Sequence, residues 1–202
     1  FAGQYEFLRE FVESLDLENV TLVGQDWGGI LGLLAAARLP DRFSRLVPMN
    51  TGLPDGTGEM APEWVQFREF VEAQEDLPIA PLIDNATISQ LDDDVLAAYE
   101  APFPSAEHKA GARVWPLLVP TDPGDPVAEA MREARERLAE WENPAFVLFG
   151  DSDPITHASR DFLRDLTPTA SEQPDVWVED AGHFLQEDAG EEIADRIVEF
   201  VR

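Results

Sequence analysis

The chain has 202 residues, enough for one sizeable domain or for a core that carries an inserted subdomain. It contains 41 acidic and 14 basic residues, for a net charge of −27, and no cysteine. A surface this acidic repels nucleic acid and anionic membranes, so we expect neither as a partner. Without cysteine, residues 1–202 form no disulfide and support no thiolate chemistry.

The excess of acidic residues has two interpretations. It indicates either an ordinary acidic protein or adaptation to high salt, where a carboxylate surface stays hydrated and its self-repulsion is screened. Lys109 is the only lysine beside 13 arginines, and this imbalance favours the halophilic interpretation. No apolar run reaches the roughly 18–20 residues of a membrane span, and residues 1–4 show no signal-peptide pattern. We therefore predict a cytoplasmic protein.

The first fifty residues alternate between helical and strand patterns. Apolar residues at helical spacing predict an amphipathic helix over residues 4–17, and a β-branched run predicts a strand over 20–23. The next helix, predicted over 28–39, is apolar nearly all round, as expected for a helix packed on a buried sheet. A second short strand is predicted over 45–49.

The middle of the chain lacks strand patterns. Helical patterns interrupted by Gly, Pro and acidic residues are predicted over 64–74, 88–99 and 127–142. From residue 144 the alternation returns, with strands predicted over 145–149 and 176–178 and helices over 157–166 and 193–201. We therefore predict an α/β fold with a mostly parallel sheet, in which residues 1–52 and 144–202 form the core and residues 53–143 form an inserted helical cap.

The most informative stretch is the junction between the first strand and the second helix. The sequence Gly24-Gln25-Asp26-Trp27-Gly28 has the form of a nucleophile elbow, G-x-S-x-G, with an acid in the place of the serine. Flanking glycines are what such a tight turn requires. Asp26 is therefore a candidate nucleophile, displayed at the apex of the turn.

Two further acid–base candidates follow predicted strands, at the edge where open α/β sheets bind their ligands. They are Asp153 and His183, and the chain order nucleophile, acid, histidine is that of α/β-hydrolase triads. His108 and His157 are less well placed, one in the insertion and one at a helix start. No pair of histidines has metal-ligand spacing, so we predict no metal and no cofactor.

A carboxylate at the elbow changes the reaction that makes chemical sense. Attack on a carbonyl would give a mixed anhydride, whereas attack on an sp³ carbon with a leaving group gives an alkyl ester. Water activated by His183 can hydrolyse that ester. Asp26 therefore indicates a substrate with a carbon–halogen bond or an epoxide.

Three segments of the chain resemble the haloalkane dehalogenases. They are Gly24-Gln25-Asp26-Trp27-Gly28-Gly29, Ala98-Tyr99-Glu100-Ala101-Pro102-Phe103-Pro104 and Asp180-Ala181-Gly182-His183-Phe184-Leu185-Gln186-Glu187. Epoxide hydrolases share the first segment, but the three together are specific, and the resemblance runs through essentially the whole chain. It implies an α/β-hydrolase fold with a helical cap, and the conversion of a haloalkane and water to an alcohol and halide.

The resemblance also implies roles for individual residues. Asp26 would be the nucleophile and His183 the base, while Trp27 would offer its backbone N–H to the oxyanion and its indole N–H to the departing halide. One branch of the family places its acid where this chain has Asn50, which cannot ionise. Asp153 matches the acid of the other branch, with Asp151 as the alternative.

The chain departs from the family in two ways. In the branch with this acid, a cap tryptophan is the second halide donor. Its position aligns with Phe67, which has no N–H. Trp64, one helical turn away, or Trp115 would line the pocket instead. The family also has strands and a His-Gly-x-Pro loop before the position of residue 1. We therefore expect a chain truncated at its N-terminus.

Other functions remain open at this point. An epoxide hydrolase would need cap tyrosines, and the chain has only Tyr5 and Tyr99. A fluoroacetate-type dehalogenase would need arginines beside the nucleophile, where Gln25 and Trp27 stand. A chain without its first strands would alternatively be an inactive remnant. The sequence does not fix the oligomeric state.

Overall fold

Short parallel strands form the centre of the fold. In the computed structural model, which describes residues 1–202, β1 (Val20–Gln25) pairs in parallel with β2 (Phe43–Met49). Farther along the chain, β3 (Phe149–Gly150) pairs in parallel with β4 (Trp177–Val178). The predicted α/β architecture with a parallel sheet is confirmed.

The residues before β3 connect the two pairs of strands. Leu46 in β2 forms a parallel bridge with Ala145, and the backbone N–H of Phe146 donates to the Leu46 carbonyl at 2.8 Å. Two residues on, the N–H of Leu148 donates to the Pro48 carbonyl at 3.1 Å. The segment predicted as a strand over 145–149 therefore lies beside β2, although regular pairing with β4 begins only at Phe149.

Nine α-helices accompany the strands. Their bounds are α1 (Ala2–Ser14), α2 (Trp27–Arg38), α3 (Pro62–Ala73), α4 (Ile79–Asn85), α5 (Asp93–Glu100), α6 (Ala110–Val114), α7 (Pro126–Leu138), α8 (Ser159–Leu166) and α9 (Leu185–Val201). Short 3₁₀ helices cover Pro40–Arg42, Ala106–Lys109, Trp115–Leu118 and Pro168–Glu172. None of the helices combines the length and apolar character needed to cross a bilayer.

Two predicted helix starts are wrong. The helix expected from residue 88 begins as α5 at Asp93, because Thr87 and Asp84 bond locally to the backbone of residues 84–91 and hold it in a turn. The helix expected from residue 193 begins at Leu185, and a non-helical Ala189 (φ −140°, ψ 37°) kinks its first turn.

The largest hydrophobic core lies between α2 and α7. Leu34 of α2 and Met131 and Leu138 of α7 are fully buried and belong to one cluster of 21 residues. A second cluster lies between the strands and α9, and a third, small cluster joins α3 to α4. The division into core and cap stays a prediction, and the packing of α7 favours a cap that ends before Pro126.

We expect Met131→Ala to lower the free energy of unfolding by about 2–5 kcal/mol, because it leaves a cavity against α2. Val198→Ala, at a site that is 43% exposed, should change it by less than about 0.5 kcal/mol. Urea unfolding followed by circular dichroism measures both. If α7 instead belonged to a separately unfolding cap, Met131→Ala would shift one of two transitions and leave the other unchanged.

Candidate active site

Asp26 stands at the sharp turn between β1 and α2. Its backbone has φ 49° and ψ −122°, a conformation that costs a non-glycine residue about 1–3 kcal/mol. The end of β2 holds the turn: the Asp26 N–H donates to the Asn50 carbonyl at 3.0 Å, and the Thr51 hydroxyl donates to the Asp26 carbonyl at 2.6 Å. The turn therefore has the geometry that the elbow motif predicts.

Two glycines allow the strand and the helix to approach each other at this turn. A Cβ on Gly24 would lie 2.8 Å from the Gly28 carbonyl oxygen, and a Cβ on Gly29 would collide with the Thr51 side chain. Gly28 has open space where its Cβ would stand. The elbow consequently needs glycine at 24 and 29 for steric reasons, but not at 28.

The three residues predicted as a triad come together in space. The Nδ1 atom of His183 lies 3.1 Å from Asp153 Oδ2, and its Nε2 atom lies 3.7 Å from Asp26 Oδ1. The side chain of Asp153 is fully buried and that of His183 is 12% exposed, whereas that of Asp26 is 42% exposed. The imidazole thus stands between a buried carboxylate and an accessible one.

The buried carboxylate of Asp153 has a full set of donors. Burial by itself would raise its pKa, but the bonds from His183, the Thr156 hydroxyl and the Ile155 N–H outweigh burial and lower the pKa below its ordinary value. Asp151, the alternative acid, is exposed and accepts from Ser152 Oγ at 2.9 Å. Of the two aspartates, Asp153 is the one that meets the histidine.

The two groups that face each other across the site have shifted pKa values. Burial raises the pKa of Asp26; His183 and the Trp27 backbone N–H oppose the rise, and the charge of Asp153 adds to it. Burial alone would lower the pKa of His183, but the hydrogen bond and charge of Asp153, with the charge of Asp26, raise it above its ordinary value of 6.5. Titratable groups that meet at one edge of a sheet and have shifted pKa values are typical of a catalytic site.

Asn50 is a site residue whose role the sequence did not reveal. It is fully buried and has φ 34°. Its side-chain N–H₂ donates to the carbonyls of Gly182 (2.8 Å) and His183 (3.0 Å), and its Oδ1 accepts from the Gly150 N–H at 2.9 Å. The signal available in the sequence was its position directly after β2, at the same edge as Asp26.

Gln25 is a second residue that sequence reasoning did not place in the site. Its side-chain nitrogen lies 3.2 Å from the His183 carbonyl and 3.3 Å from His183 Nε2. A carbonyl only accepts, so the amide donates to the His183 carbonyl, and its second N–H can donate to Nε2 when Nε2 carries a lone pair. This contact fits the neutral imidazole with its proton on Nδ1, the tautomer that donates to Asp153. Gln25 and Asp153 therefore select the same form of the base.

Two of the predicted pocket aromatics are in contact. The rings of Trp27 and Trp115 lie 4.5 Å apart between centroids, and Phe1 approaches Trp27 at 6.1 Å. Trp64 is buried beneath the guanidinium of Arg68 and lines an outward-facing depression. Phe67 packs against the cluster of Val71, Leu77 and Ile79. Trp115 is therefore the predicted residue that the structure brings to Trp27.

The other two histidines make contacts elsewhere. His108 Nδ1 lies 2.9 Å from Ser105 Oγ, and the His157 ring stacks on Trp177 with centroids 4.5 Å apart. No group of three or more His, Asp or Glu side chains is arranged to hold a metal ion. His183 is the histidine that the fold places at the elbow.

The fold and the site together define an α/β hydrolase. A model of the α/β-hydrolase fold family matches residues 1–190. Among solved structures, the tetrameric haloalkane dehalogenase DpaA from Paraglaciecola agarilytica NO2 superposes with a TM-score of 0.87 and is 33% identical, covering 95% of this chain and 64% of that chain.

Curated relatives give the narrower grouping. The haloalkane dehalogenase of Psychrobacter cryohalolentis is 38% identical over 195 residues, and that of Mycolicibacterium paratuberculosis 40% over 194 residues; each comparison covers 96% of this chain and 64% of the relative. The haloalkane dehalogenase of Sphingobium indicum is 30% identical over 221 residues, which cover 71% of its length. The chain belongs to the haloalkane dehalogenases of the α/β-hydrolase fold family, and it spans 64% of the length of the first two relatives.

We expect Gly24→Ala to lower the free energy of unfolding by about 1–3 kcal/mol, because its Cβ would meet backbone atoms of Gly28 and Gly29 that cannot move aside. Gly28→Ala, in the same motif and with open space around its Cβ, should be neutral or stabilise the helix by up to about 1 kcal/mol. Urea unfolding of both variants checks the pair. Equal effects of the two substitutions would contradict the steric account of the elbow.

Proposed function

We propose that this chain carries the nucleophile, base and acid of an enzyme that converts a haloalkane and water to an alcohol, a halide ion and a proton. The observation that carries the proposal is the arrangement of Asp26, His183 and Asp153, with His183 Nε2 3.7 Å from Asp26 and Nδ1 3.1 Å from Asp153. The relatives support it by their names. The reaction needs neither a cofactor nor a metal.

In the first step, a carboxylate oxygen of Asp26 attacks the carbon that bears the halogen. The new C–O bond forms as the carbon–halogen bond breaks, and the electron pair leaves with the halide. The indole N–H of Trp27 stabilises the departing anion, because an indole donates a hydrogen bond and accepts none. Trp115, packed on Trp27, supplies an apolar wall beside the reacting carbon.

In the second step, His183 Nε2 takes a proton from water as the water attacks the ester carbonyl of Asp26. Alkylation removes the negative charge of Asp26, which is one of the causes that raise the pKa of His183. The pKa of the imidazole therefore falls when the ester forms, and more of the base is neutral at the stage that requires it. Collapse of the tetrahedral intermediate breaks the C–O bond to the alkoxide, which takes the proton held by His183 and leaves as the alcohol. The carboxyl group of Asp26 then loses the second proton of the water to solvent, which restores the carboxylate.

Asp153 serves the second step by stabilising the imidazolium. Its charge is held by the bonds that lower its pKa, so it is ionised throughout the cycle. It also favours the tautomer in which Nε2 carries the lone pair that accepts the proton. A buried carboxylate of this kind orients and stabilises the base without taking the proton itself.

The contacts of the two tyrosines argue against an epoxide hydrolase. Tyr5 is buried in α1 beneath the guanidinium of Arg38. Tyr99 donates to Glu187 at 2.5 Å, and burial together with this bond raises its pKa to about 12. Neither hydroxyl lies in the described site to protonate an epoxide oxygen.

A cap over residues 53–143 and a cytoplasmic location stay predictions from the sequence.

The proposal predicts halide release from 1-bromobutane by the purified protein in high salt. Asp26→Ala should abolish it, and Asp153→Ala should lower the rate by about 10²–10⁴-fold, because the base loses its orientation. Asp151→Ala is the matched control, since Asp151 also follows the third strand but does not face His183, and it should keep the activity. Absence of halide release contradicts the proposal and favours an inactive chain, whereas release that survives Asp26→Ala contradicts the assignment of Asp26 as the nucleophile.

His183→Ala should trap the alkyl ester, because Asp26 can attack but no base activates water. A mass spectrum of this variant after exposure to 1-bromobutane should show one added butyl group on the peptide that contains Asp26. An unmodified peptide in a variant that remains folded would contradict the covalent route.

We also propose that the acidic surface is an adaptation to high salt. The only lysine, Lys109, does not lie on the surface: its side chain is 7% exposed, and its Nζ lies 2.9 Å from both Asp76 and Glu100. Its Nζ also donates to the Leu77 carbonyl at 2.8 Å. The surface therefore presents carboxylates with no lysine among them, the composition that salt screening favours.

The melting temperature should rise between about 0.15 M and about 2 M KCl, because the Debye length falls from about 8 Å to below about 3 Å and repulsion between carboxylates weakens. Three exposed acids of α9 can be replaced with amides: Glu191, Asp195 and Glu199. This replacement should raise the melting temperature at low salt and reduce its further rise with KCl. A melting temperature that is independent of salt would contradict the proposal. Differential scanning calorimetry gives both values.

A further inference from the structure

The loop that carries His183 is bound to the helical insertion on both sides of the histidine. On one side, the N–H of Phe184 donates to the carbonyl of Ala86 at 3.3 Å. On the other side, Gly182 packs so closely on the same carbonyl that a Cβ at 182 would lie 2.6 Å from it. The turn that follows α4 is therefore in direct contact with both neighbours of the base.

A single carboxylate ties these two segments together. Asp188, in the first turn of α9, accepts from the N–H of Gly182 at 2.8 Å through Oδ2. Its Oδ1 accepts from the N–H groups of Ile88 (3.0 Å) and Ser89 (2.7 Å), and Oδ2 also lies 3.1 Å from the Ile88 nitrogen. The three donors come from two segments nearly one hundred residues apart, and both carboxylate oxygens are used.

The donors on the side of the insertion are held in place locally. The hydroxyl oxygen of Thr87 lies 3.0 Å from the carbonyl oxygens of both Asp84 and Ser89, which share its single O–H donor, and this fixes the turn that presents the two N–H groups to Asp188. Burial would raise the pKa of Asp188, but the three backbone donors outweigh it and lower the pKa. The carboxylate is therefore charged when it makes these contacts, and charged hydrogen bonds are the stronger kind.

The nucleophile has a different set of supports. The elbow at Asp26 is held by Asn50 and Thr51 at the end of β2, and its glycines pack against α2 and Thr51. None of these contacts involves residues 86–89. A displacement of residues 86–89 therefore acts directly on the neighbours of His183, whereas it reaches Asp26 indirectly, through Asn50.

We propose that Asp188 is a positioning residue that fixes His183 relative to residues 86–89, so that this turn controls hydrolysis of the alkyl ester and leaves alkylation of Asp26 largely independent. The part of this inference that concerns the rates of the two steps rests on the proposed function. Asp188 acts through the Gly182 backbone on the ring that activates water. It touches neither the substrate nor the reacting atoms.

The test separates the two chemical steps in Asp188→Asn and Asp188→Ala with 1-bromobutane in rapid-quench experiments. Asparagine keeps the size of the side chain but has one acceptor oxygen, so it cannot hold both segments. Ester hydrolysis should slow about ten- to a hundredfold, the cost of a misplaced catalytic group, while alkylation stays within about threefold. The alkylated enzyme should then accumulate in the steady state, and mass spectrometry measures its fraction.

Two variants are matched controls. Tyr99→Phe removes another hydrogen bond from the insertion to the start of α9, that to Glu187, but not one made by a neighbour of His183. Glu191→Gln removes an exposed charge close to Asp188 on the same helix. Both should keep the wild-type ratio of hydrolysis to alkylation. Equal slowing of the two steps in Asp188→Asn, or an unchanged ratio, overturns the inference.

Amide hydrogen exchange tests the tie without turnover. Asp188→Ala should speed exchange at the N–H groups of Gly182 and Ser89 together, whereas Tyr99→Phe should leave both at their wild-type rates. Absence of halide release by the wild-type protein would contradict the proposed function, and the exchange result would still decide whether Asp188 holds the two segments. Unchanged exchange in Asp188→Ala overturns the inference on its own.

Discussion

A buried asparagine at the end of β2 connects the elbow, the end of β3 and the loop that carries His183. The carbonyl of Asn50 accepts from the Asp26 N–H at 3.0 Å, and its side chain bonds to Gly150, Gly182 and His183. Two of these partners are carbonyl oxygens, which a carboxylate at this position could not bond. The amide is therefore required for the clamp, and the carboxylate for His183 must come from another strand end. Asp153 supplies it.

The two aspartates have different roles because their surroundings differ. Asp153 is enclosed and supplied with donors, so its pKa is lowered and its charge is fixed. Asp26 is only partly exposed at the turn, and the partial loss of solvent around its carboxyl group raises its pKa while His183 opposes the rise. Environments that push the pKa values of neighbouring carboxyl groups apart separate an acid–base partner from a reactive group. Here they separate a permanent counter-ion from a nucleophile whose oxygen can reach a substrate.

The sequence predicted the features that depend on local constraints. The elbow could be identified because its glycines and Asp26 are adjacent in the chain, and α2 because its apolar pattern is continuous. The roles of Asn50 and Gln25 could not be identified, since their partners lie 132 and 158 residues away; the position of Asn50 after a strand placed it at the sheet edge but did not reveal those partners. The predicted start of α5 at residue 88 was wrong, because Thr87 and Asp84 bond locally to the backbone and these bonds override the helical spacing of the apolar residues.

The nucleophile of the first chemical step is held mainly by contacts to residues nearby in the chain, whereas the base of the second step is held mainly by contacts to distant residues. Asp26 is fixed by contacts to residues 50 and 51, which lie within about one strand–helix–strand unit of the chain. The position of the nucleophile is therefore set by the pairing of β1 with β2. His183 follows the whole insertion and is fixed by bonds that span more than one hundred residues, including those to Asn50. Its loop is further held by residues 86–89, through the carbonyl of Ala86 and through Asp188, which meets Ile88 and Ser89. The base is therefore the member of the site whose position depends on residues 86–89, which makes ester hydrolysis the step that changes in that turn alter first.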